Sequence, residues 1–539
     1  MIDQQLLQAY TAELEALRDH GREFAAAFPD VAGQLDIGAM RSRDPHVERV
    51  IESAAFLAAR LRLMIEEGAA EVPLTMLSLI APALAEPIPS MTVLRIRDGS
   101  EPQTIPRGTR FDYEVENQAL ACFTTTMDIH AHPMSLRLRR LAPSPGAPDG
   151  IGMRVLGAPP EDRLLLFVGS NRVNAATLLD ALDDDLAWIK VVPPDGGDAT
   201  FVPTANLRLL GFGSSEAALP VRPAVHRAHR VVTEFLVFPD KFRFVSLAGL
   251  SLQPGSEVQF GFSHPLQLPE STSSDLLMVN HVPAVNLWRA SADPVNITGR
   301  QLEYPVRVDA LRYRSTECHS VESVSLYGPG GEPEQIDPVV AYGNTRGTSI
   351  RWAVRRHVNR GIARVLLLFQ GLDFGQLGHE RYLAAPSVLA NNRDLAPRVP
   401  TRQSLQPVAA LGDWRCSVAI APSAYRQPMT VGTEMESLLG FLRSSMTSLA
   451  ENPTYLKQYL SDFPGAADAT WINGVKGASL RPVASVRLGN PRAAMEVRLR
   501  FDQGNHRATS AAVLKRVLGL LFESQRGINR VQNVAVTKL

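Results

Sequence analysis

The stretch from Asp44 to Glu67, DPHVERVIESAAFLAARLRLMIEE, constrains this chain more than any other. Asp44-Pro45 pairs an N-cap acceptor with a proline at the first helical position. Apolar residues then recur at Val47, Val50, Ala54, Leu57, Leu61 and Met64, in steps of three and four. That is a heptad seam, widened on one side by Ile51, Ala58 and Ile65. Glu48, Arg49, Glu52, Arg60 and Arg62 fall off the stripe. A helix this regular needs a long apolar surface to lie against. The spacing alone leaves open whether another part of this chain or a second chain provides it.

A second periodic segment precedes it. Leu7, Tyr10, Leu14, Leu17, Phe24 and Phe28 keep a three/four spacing through Gly21 that stops at Pro29. A shorter helix is expected around Leu74–Ala81. The two prolines of EPIPSM (86–91) then end the helical part. The first ninety residues therefore read as a helical bundle segment, with Leu7, Tyr10, Leu14, Leu17, Val47, Val50, Leu57, Leu61 and Met64 as its candidate interface.

From Met91 the period changes to two. Strands are expected over 92–97, after the IPRGTRF turn (105–111), once or twice within 122–141, and over 164–170. An acidic helix is expected over 175–190 and a Pro/Asp/Gly loop over 192–197. In 231–250, VVTEFLVFPDKFRFVSLAGL, Pro239-Asp240 reads as a turn between two strands. Further strands are expected at 258–262, 320–328, 349–356 and 363–369. After Pro400, Thr433 and Glu436 form a capping box ahead of a helix carrying Met435 to Leu449. A helix at 454–463, an alternating strand at 495–501, a helix at 510–524 and a strand at 531–537 follow. The expected class is α+β: an N-terminal helical assembly domain (1–90), two β-rich, sandwich-like domains (91–240 and 241–400), and a C-terminal α+β domain (401–539). No fixed-period repeat points to a solenoid or propeller.

Lys plus Arg and Asp plus Glu both number 55, so the chain has no basic surplus of the kind phosphate neutralisation requires. No nucleic-acid partner is expected. The three cysteines, Cys122, Cys318 and Cys416, are too few and too scattered for a disulfide framework or a zinc site. The start of the chain lacks the basic and apolar regions of a signal peptide, and no apolar tract reaches the roughly 18 residues of a membrane span. A soluble, cytoplasmic protein without direct membrane insertion is the expectation.

The search for chemistry returns fragments. His379-Glu380 begins a zinc-protease helix, but Leu383 stands where the second histidine belongs. The pairs His226/His229 and His130/His132 lack a third ligand. Asp183-Asp184-Asp185 reads as a solvated acidic face, and Gly211-Phe212-Gly213 as a turn, since Glu216 replaces the third glycine of a dinucleotide loop. No P-loop or nucleophile elbow occurs. No catalytic, cofactor-binding or metal-binding residue is assigned.

Several segments together resemble the TssF family, a subunit of the bacterial type VI secretion baseplate. They are FAAAFPDVAGQL (24–35), DPHVERVIESAAFLAARL (44–61), PIPSM (87–91), IPRGT (105–109), CFTTTMDI with a following proline (122–133), TEFLVFPDKFRF (233–244), VPAVNLW (282–288) with ADPV (292–295), and NNRDL (391–395). Two departures stand out. Ile80-Ala81-Pro82-Ala83 occupies a place where that family commonly carries aromatics, and the order after Pro400 fits without a residue-level match. The resemblance implies a structural, non-enzymatic role without cofactor. It implies wedges in which two copies of the chain wrap one TssG-like subunit and link TssK and TssE with the sheath, around a hub. It also implies a place at the inner face of the cell envelope, and it tips the helical seam towards an interface between chains. Two other classes remain: a carbohydrate-active β-rich enzyme using Asp112, Glu114 and Glu116, or a sugar-binding module using the Phe235–Phe244 rings.

Overall fold

The fold comes from a computed structural model. It describes residues 4–34, 45–80, 85–115, 119–169, 171–222, 226–269, 275–298, 300–309, 315–328, 331–340, 346–347, 349–359, 362–372, 382–428, 446–487, 490–502, 507–524 and 530–538. The chain is a mixture of helices and strands with a β-rich majority. It divides into two compact units, one built mainly on Met1–Ile80 and one holding most of the remainder of the described chain.

The first unit is helical. Helix α1 covers Gln4–Ala27 and α2 covers Pro29–Gln34. The break between them falls at the predicted proline, and the Phe28 and Ala32 amides still bond to carbonyls four residues back. Helix α3 is one continuous element of 36 residues, Pro45–Ile80, about 54 Å long at 1.5 Å per residue. The sequence predicted a break before Leu74. The helix instead runs on through Gly68 and Pro73, absorbing an interior-proline cost of about 3 kcal/mol. Asp44, the predicted N-cap, lies outside the described residues.

The second unit is mostly sheet. A closed six-stranded barrel is ordered Met91–Arg97, His281–Val285, Ala119–Thr125, Arg110–Val115, Ser404–Pro407, Arg415–Ile420, and the last strand pairs back onto the first. Its interior holds Leu94, Ile96, Phe111, Phe123, Val282, Leu405 and Val418, with Phe111 and Phe123 directly opposite each other. The barrel draws on all three of the expected segments 91–240, 241–400 and 401–539, because its ladders join strands distant in sequence.

A five-stranded sheet is ordered Thr200–Val202, Leu186–Val192, Glu257–Phe262, Asp149–Gly157, Met134–Arg140, and a four-stranded sheet contains Arg163–Val168 and Phe244–Ala248. An eight-stranded sheet is centred on Glu317–Tyr327 and Tyr382–Asn391. At the C-terminus, Val475–Arg487 and Asn490–Phe501 form an antiparallel pair, and Arg530–Lys538 adds in parallel. A parallel neighbour needs a crossover, and the Ala511–Ser524 helix supplies it.

Three local readings change. The helix expected over 175–190 ends early: Arg172–Asp180 is helical, Ala181–Asp185 is a π turn, and Leu186–Val192 is a strand. Its Ile189 and Val191 point inward while Trp188 and Lys190 do not, a period of two hidden behind the aspartate run. The first of the two strands expected in 231–250 is a helix, Arg227–Val237. Its apolar residues Ala228, Val231, Val232, Phe235 and Leu236 keep the three/four helical step, a signal masked by the β-branched and aromatic residues that suggested a strand. The segment 122–141 yields three strands, Ala119–Thr125, Ile129–Ala131 and Met134–Arg140. The capping box at Thr433 and Glu436 lies outside the described residues. Among the described residues no helix is long and apolar enough to cross a membrane.

Candidate protein interface

Helices α1 and α3 form an antiparallel hairpin. Arg18 pairs with Glu48, and Arg62 Nη1 lies 3.0 Å from Glu13 Oε1. Ala55 and Ala59 are fully buried, so α3 meets its neighbour through small side chains. The heptad stripe lies on the opposite side of the helix, because residues 50, 57, 61 and 64 repeat every two turns about half a turn away from 55 and 59. Val50, Leu57, Leu61, Met64 and Ile65 are 68, 64, 56, 57 and 63% exposed. Leu7 and Leu17 are exposed on α1, while Tyr10 and Leu14 are half-buried. The side chain of Val47 lies outside the described residues.

The exposed apolar set also includes Phe24, Phe28, Val31 and Phe56. The sequence assigned none of these four to the interface; Phe24 and Phe28 lie on the counted three/four steps, and Val31 and Phe56 do not.

The titratable groups elsewhere are tied up in structure. Glu234 is fully buried on the Arg227–Val237 helix. Its carboxylate meets Lys241 Nζ at 2.7 Å and Arg230 Nη1 at 2.9 Å, and accepts the Ala218 and Leu219 amides at 3.0 and 2.9 Å. Burial alone would raise its pKa, but Lys241, Arg230 and the Leu219 amide hold it below the ordinary carboxylate value. Burial likewise lowers Lys241, with Glu234 opposing. Lys241 also donates to the Gly211 carbonyl at 2.6 Å, and Glu216 accepts the Gly211 and Gly213 amides at 2.5 and 3.2 Å. Gly211 has φ +105°, so the loop is the turn the sequence predicted, closed by the residue that breaks the dinucleotide pattern. Nearby, Asp240 pairs with Arg243 at 2.6 Å and Arg172 at 2.7 Å. Glu234, Lys241, Arg230, Asp240 and Arg243 are buried, and Arg172 closes the second cluster from the exposed side.

The remaining candidates do not converge on a site. His226 caps the Arg227–Val237 helix, the His229 ring lies 6.1 Å from that of Phe463, and His130 bonds Thr104 Oγ1 at 2.9 Å. Asp183, Asp184 and Asp185 pair with Arg516, Lys515 and His264; the expected solvated face thus docks, in part, the C-terminal helix. Cys122, Cys318 and Cys416 are free and buried, and burial pushes the Cys122 and Cys318 thiols up to about 12, where they stay protonated and inert. Asp112 is held by Arg110 at 2.7 Å. Phe235, Phe238, Phe242 and Phe244 are buried and so unavailable as a sugar platform. His379, Glu380 and Glu116 lie outside the described residues. Among the described residues no group of three His, Cys, Asp or Glu side chains could hold a metal ion.

The family described as "Type VI secretion system, TssF" matches residues 2–538. The chain belongs to the TssF family. It is similar to the type VI secretion system component TssF1 of Pseudomonas aeruginosa, with 27% identity across 96% of this chain and 93% of that protein. Its fold is similar to a chain in a TssK-TssF-TssG baseplate subcomplex solved by cryo-electron microscopy, with a TM-score of 0.73 and 19% identity over 91% of this chain and 96% of that one. It is also similar to a chain in the baseplate complex from the type VI secretion system, with a TM-score of 0.57 and 18% identity over 96% and 93%. At these identities the two structures speak to the fold.

Proposed function

We propose that this TssF-family chain is a non-enzymatic baseplate subunit that binds a TssG-like partner through the α1–α3 hairpin. The observation that carries the reading is the position of the stripe: Val50, Leu57, Leu61, Met64 and Ile65 face away from the chain's own helix and into solvent. Fully burying such a side chain contributes roughly 1.5–3 kcal/mol, so covering the exposed part of five contributes on the order of 5 kcal/mol before the cost of association. The fold likeness to a chain from a TssK-TssF-TssG subcomplex supports a TssG-like occupant. A second copy of this chain, TssK, TssE, the sheath and a hub complete the wedge in this reading, at the inner face of the cell envelope.

The test is co-expression with the TssG-like protein. Because Leu57 and Leu61 are exposed, Leu57→Asp/Leu61→Asp leaves the melting temperature of the free chain unchanged and abolishes co-purification. Retained co-purification refutes the interface. A collapse in the stability of the free chain shows that the stripe is internal.

A further inference from the structure

The five-stranded sheet has one buried and one open face. Ile151, Met153, Val155, Ile189, Val191, Val258, Phe260 and Phe262 line the buried side. The other side alternates with them and gathers Arg137, Arg139, Arg154 and Lys190 around a single carboxylate, Glu257. The ladder register fixes the grouping. Arg137 sits opposite Arg154, which sits opposite Glu257. The row beside it runs Arg139, Gly152, Gln259, Lys190, Phe201, about 19 Å across at 4.8 Å per strand. In a chain with no net charge, this face is locally basic.

We infer that this open sheet face docks an acidic protein surface, separate from the helical stripe. Three features carry the inference. Like charges directly opposite each other on a ladder are destabilising. Arg137 and Arg154 are such a pair, and among the described residues Arg137 has no carboxylate partner. The face is also flat: a Cβ at Gly152 would strike Glu257 and Leu141, and one at Gly261 would lie 2.2 Å from the Trp188 ring, so glycines let these side chains lie down on the sheet. Finally, the Trp188 ring is covered on one side by Gly261, and Lys190 Nζ sits 4.0 Å from its centroid. Trp188 thus has no free face for a base or a sugar. Phe201, at the end of the row, is exposed with Lys190 Nζ 5.1 Å from its centroid, but a single ring offers no platform for successive bases, which favours a protein partner presenting carboxylates over a nucleic acid or a glycan.

The experiment uses the full chain and a fluorescein-labelled poly-glutamate peptide, followed by anisotropy, with labelled poly-dT as the nucleic-acid arm. Poly-glutamate binds, and binding weakens from low to physiological salt. Arg137→Glu/Arg154→Glu weakens it at least about tenfold, whereas Arg208→Glu/Arg415→Glu, on other sheets, and Leu57→Asp/Leu61→Asp leave it intact. The inference is overturned if the first pair binds as wild type does, if the control pair loses as much, or if poly-dT binds more tightly than poly-glutamate. Unchanged binding with aggregation of the reversed variant would instead show arginines that only protect the Met134–Arg140 edge from strand pairing.

Discussion

Replacing Glu234 by glutamine would test whether the buried charge cluster holds the Arg227–Val237 helix in place. The amide keeps the shape and can still accept the Ala218 and Leu219 amides, but it leaves Lys241, 1% exposed, without its carboxylate at 2.7 Å. Removing one partner of a buried pair costs about 3–5 kcal/mol. Lys241 has an escape: it can release its proton. From a free-lysine pKa near 10.4, doing so at pH 7 costs about 4.6 kcal/mol, which caps the loss. A lysine neutral in the folded state and charged in the unfolded state makes the unfolded state bind more protons, so the variant regains stability as pH rises, by up to about 1.4 kcal/mol per pH unit. Denaturant unfolding followed by tryptophan fluorescence suits the measurement, since the Trp471 ring is 5.9 Å from Phe235 on the same helix. Glu234→Gln should fall about 3–5 kcal/mol below wild type at pH 7, with a narrower gap at pH 9. Glu234→Gln/Lys241→Met should recover most of the loss. A gap below about 1 kcal/mol at pH 7, or a double variant no better than the single one, refutes the reasoning.

Two further predictions concern the barrel and its neighbour. His281 and His319 are buried, and burial lowers each to about 4 from the usual 6.5. The unfolded chain therefore takes up these protons first: their contribution is fully present above pH 6.5 and is lost as pH falls towards 4, by about 1.4 kcal/mol per pH unit for each. Thermal melts across that window should steepen in acid, and the part of the slope due to these two histidines should halve in His281→Phe. Asn392 is buried and accepts the Cys122 amide and an Asn286 amide hydrogen, each at 2.8 Å, while its own backbone amide donates to Asn286 at 2.7 Å. Asn392→Ala leaves the Cys122 and Asn286 donors unpaired and should cost about 2–5 kcal/mol in denaturant unfolding; a loss under about 1 kcal/mol would show that water replaces the side chain.

What the sequence revealed depended on whether an element buries one face or both. The strand at 495–501 was legible because Val497, Leu499 and Phe501 are buried while Arg498 and Arg500 are exposed. The stripe on α3 was legible for the same reason at helical period. Helix Arg227–Val237 was misread although Ala228, Val231, Val232, Phe235 and Leu236 fall at helical spacing: its β-branched and aromatic residues favour a strand, and the burial of Arg230, Thr233 and Glu234 beside them leaves no local mark. The barrel was illegible for a different reason. Its first strand pairs with residues 281–285 and 415–420, and no local pattern encodes a partner at that separation. The aspartate run shows both limits: its acidity suggested an exposed helical face, whereas Asp180 accepts Ser510 Oγ and the Ala512 amide at the start of the C-terminal helix, and Asp183 and Asp184 hold Arg516 and Lys515.

Outside the helical unit, several segments that carried the family resemblance turn out to be frame. Asn286 of VPAVNLW and Asn392 of NNRDL bond to each other. Glu234, Asp240, Lys241 and Arg243 of TEFLVFPDKFRF form the buried ion clusters. Arg107 of IPRGT donates to the carbonyls of Ser214 and Ala217 at 2.9 and 2.8 Å. A buried polar group is costly unless its partners stand at fixed positions, so such residues make exact words that a reader can match. A docking surface is written differently. The α3 stripe needs only apolar side chains at a spacing, and the basic sheet face needs only cations on alternate positions of neighbouring strands, which are far apart in the chain. The family was therefore readable in part from residues that bond within the chain, as well as from the two helical segments, while the surfaces available to partners emerged from exposure on α3 and from ladder register in the sheet.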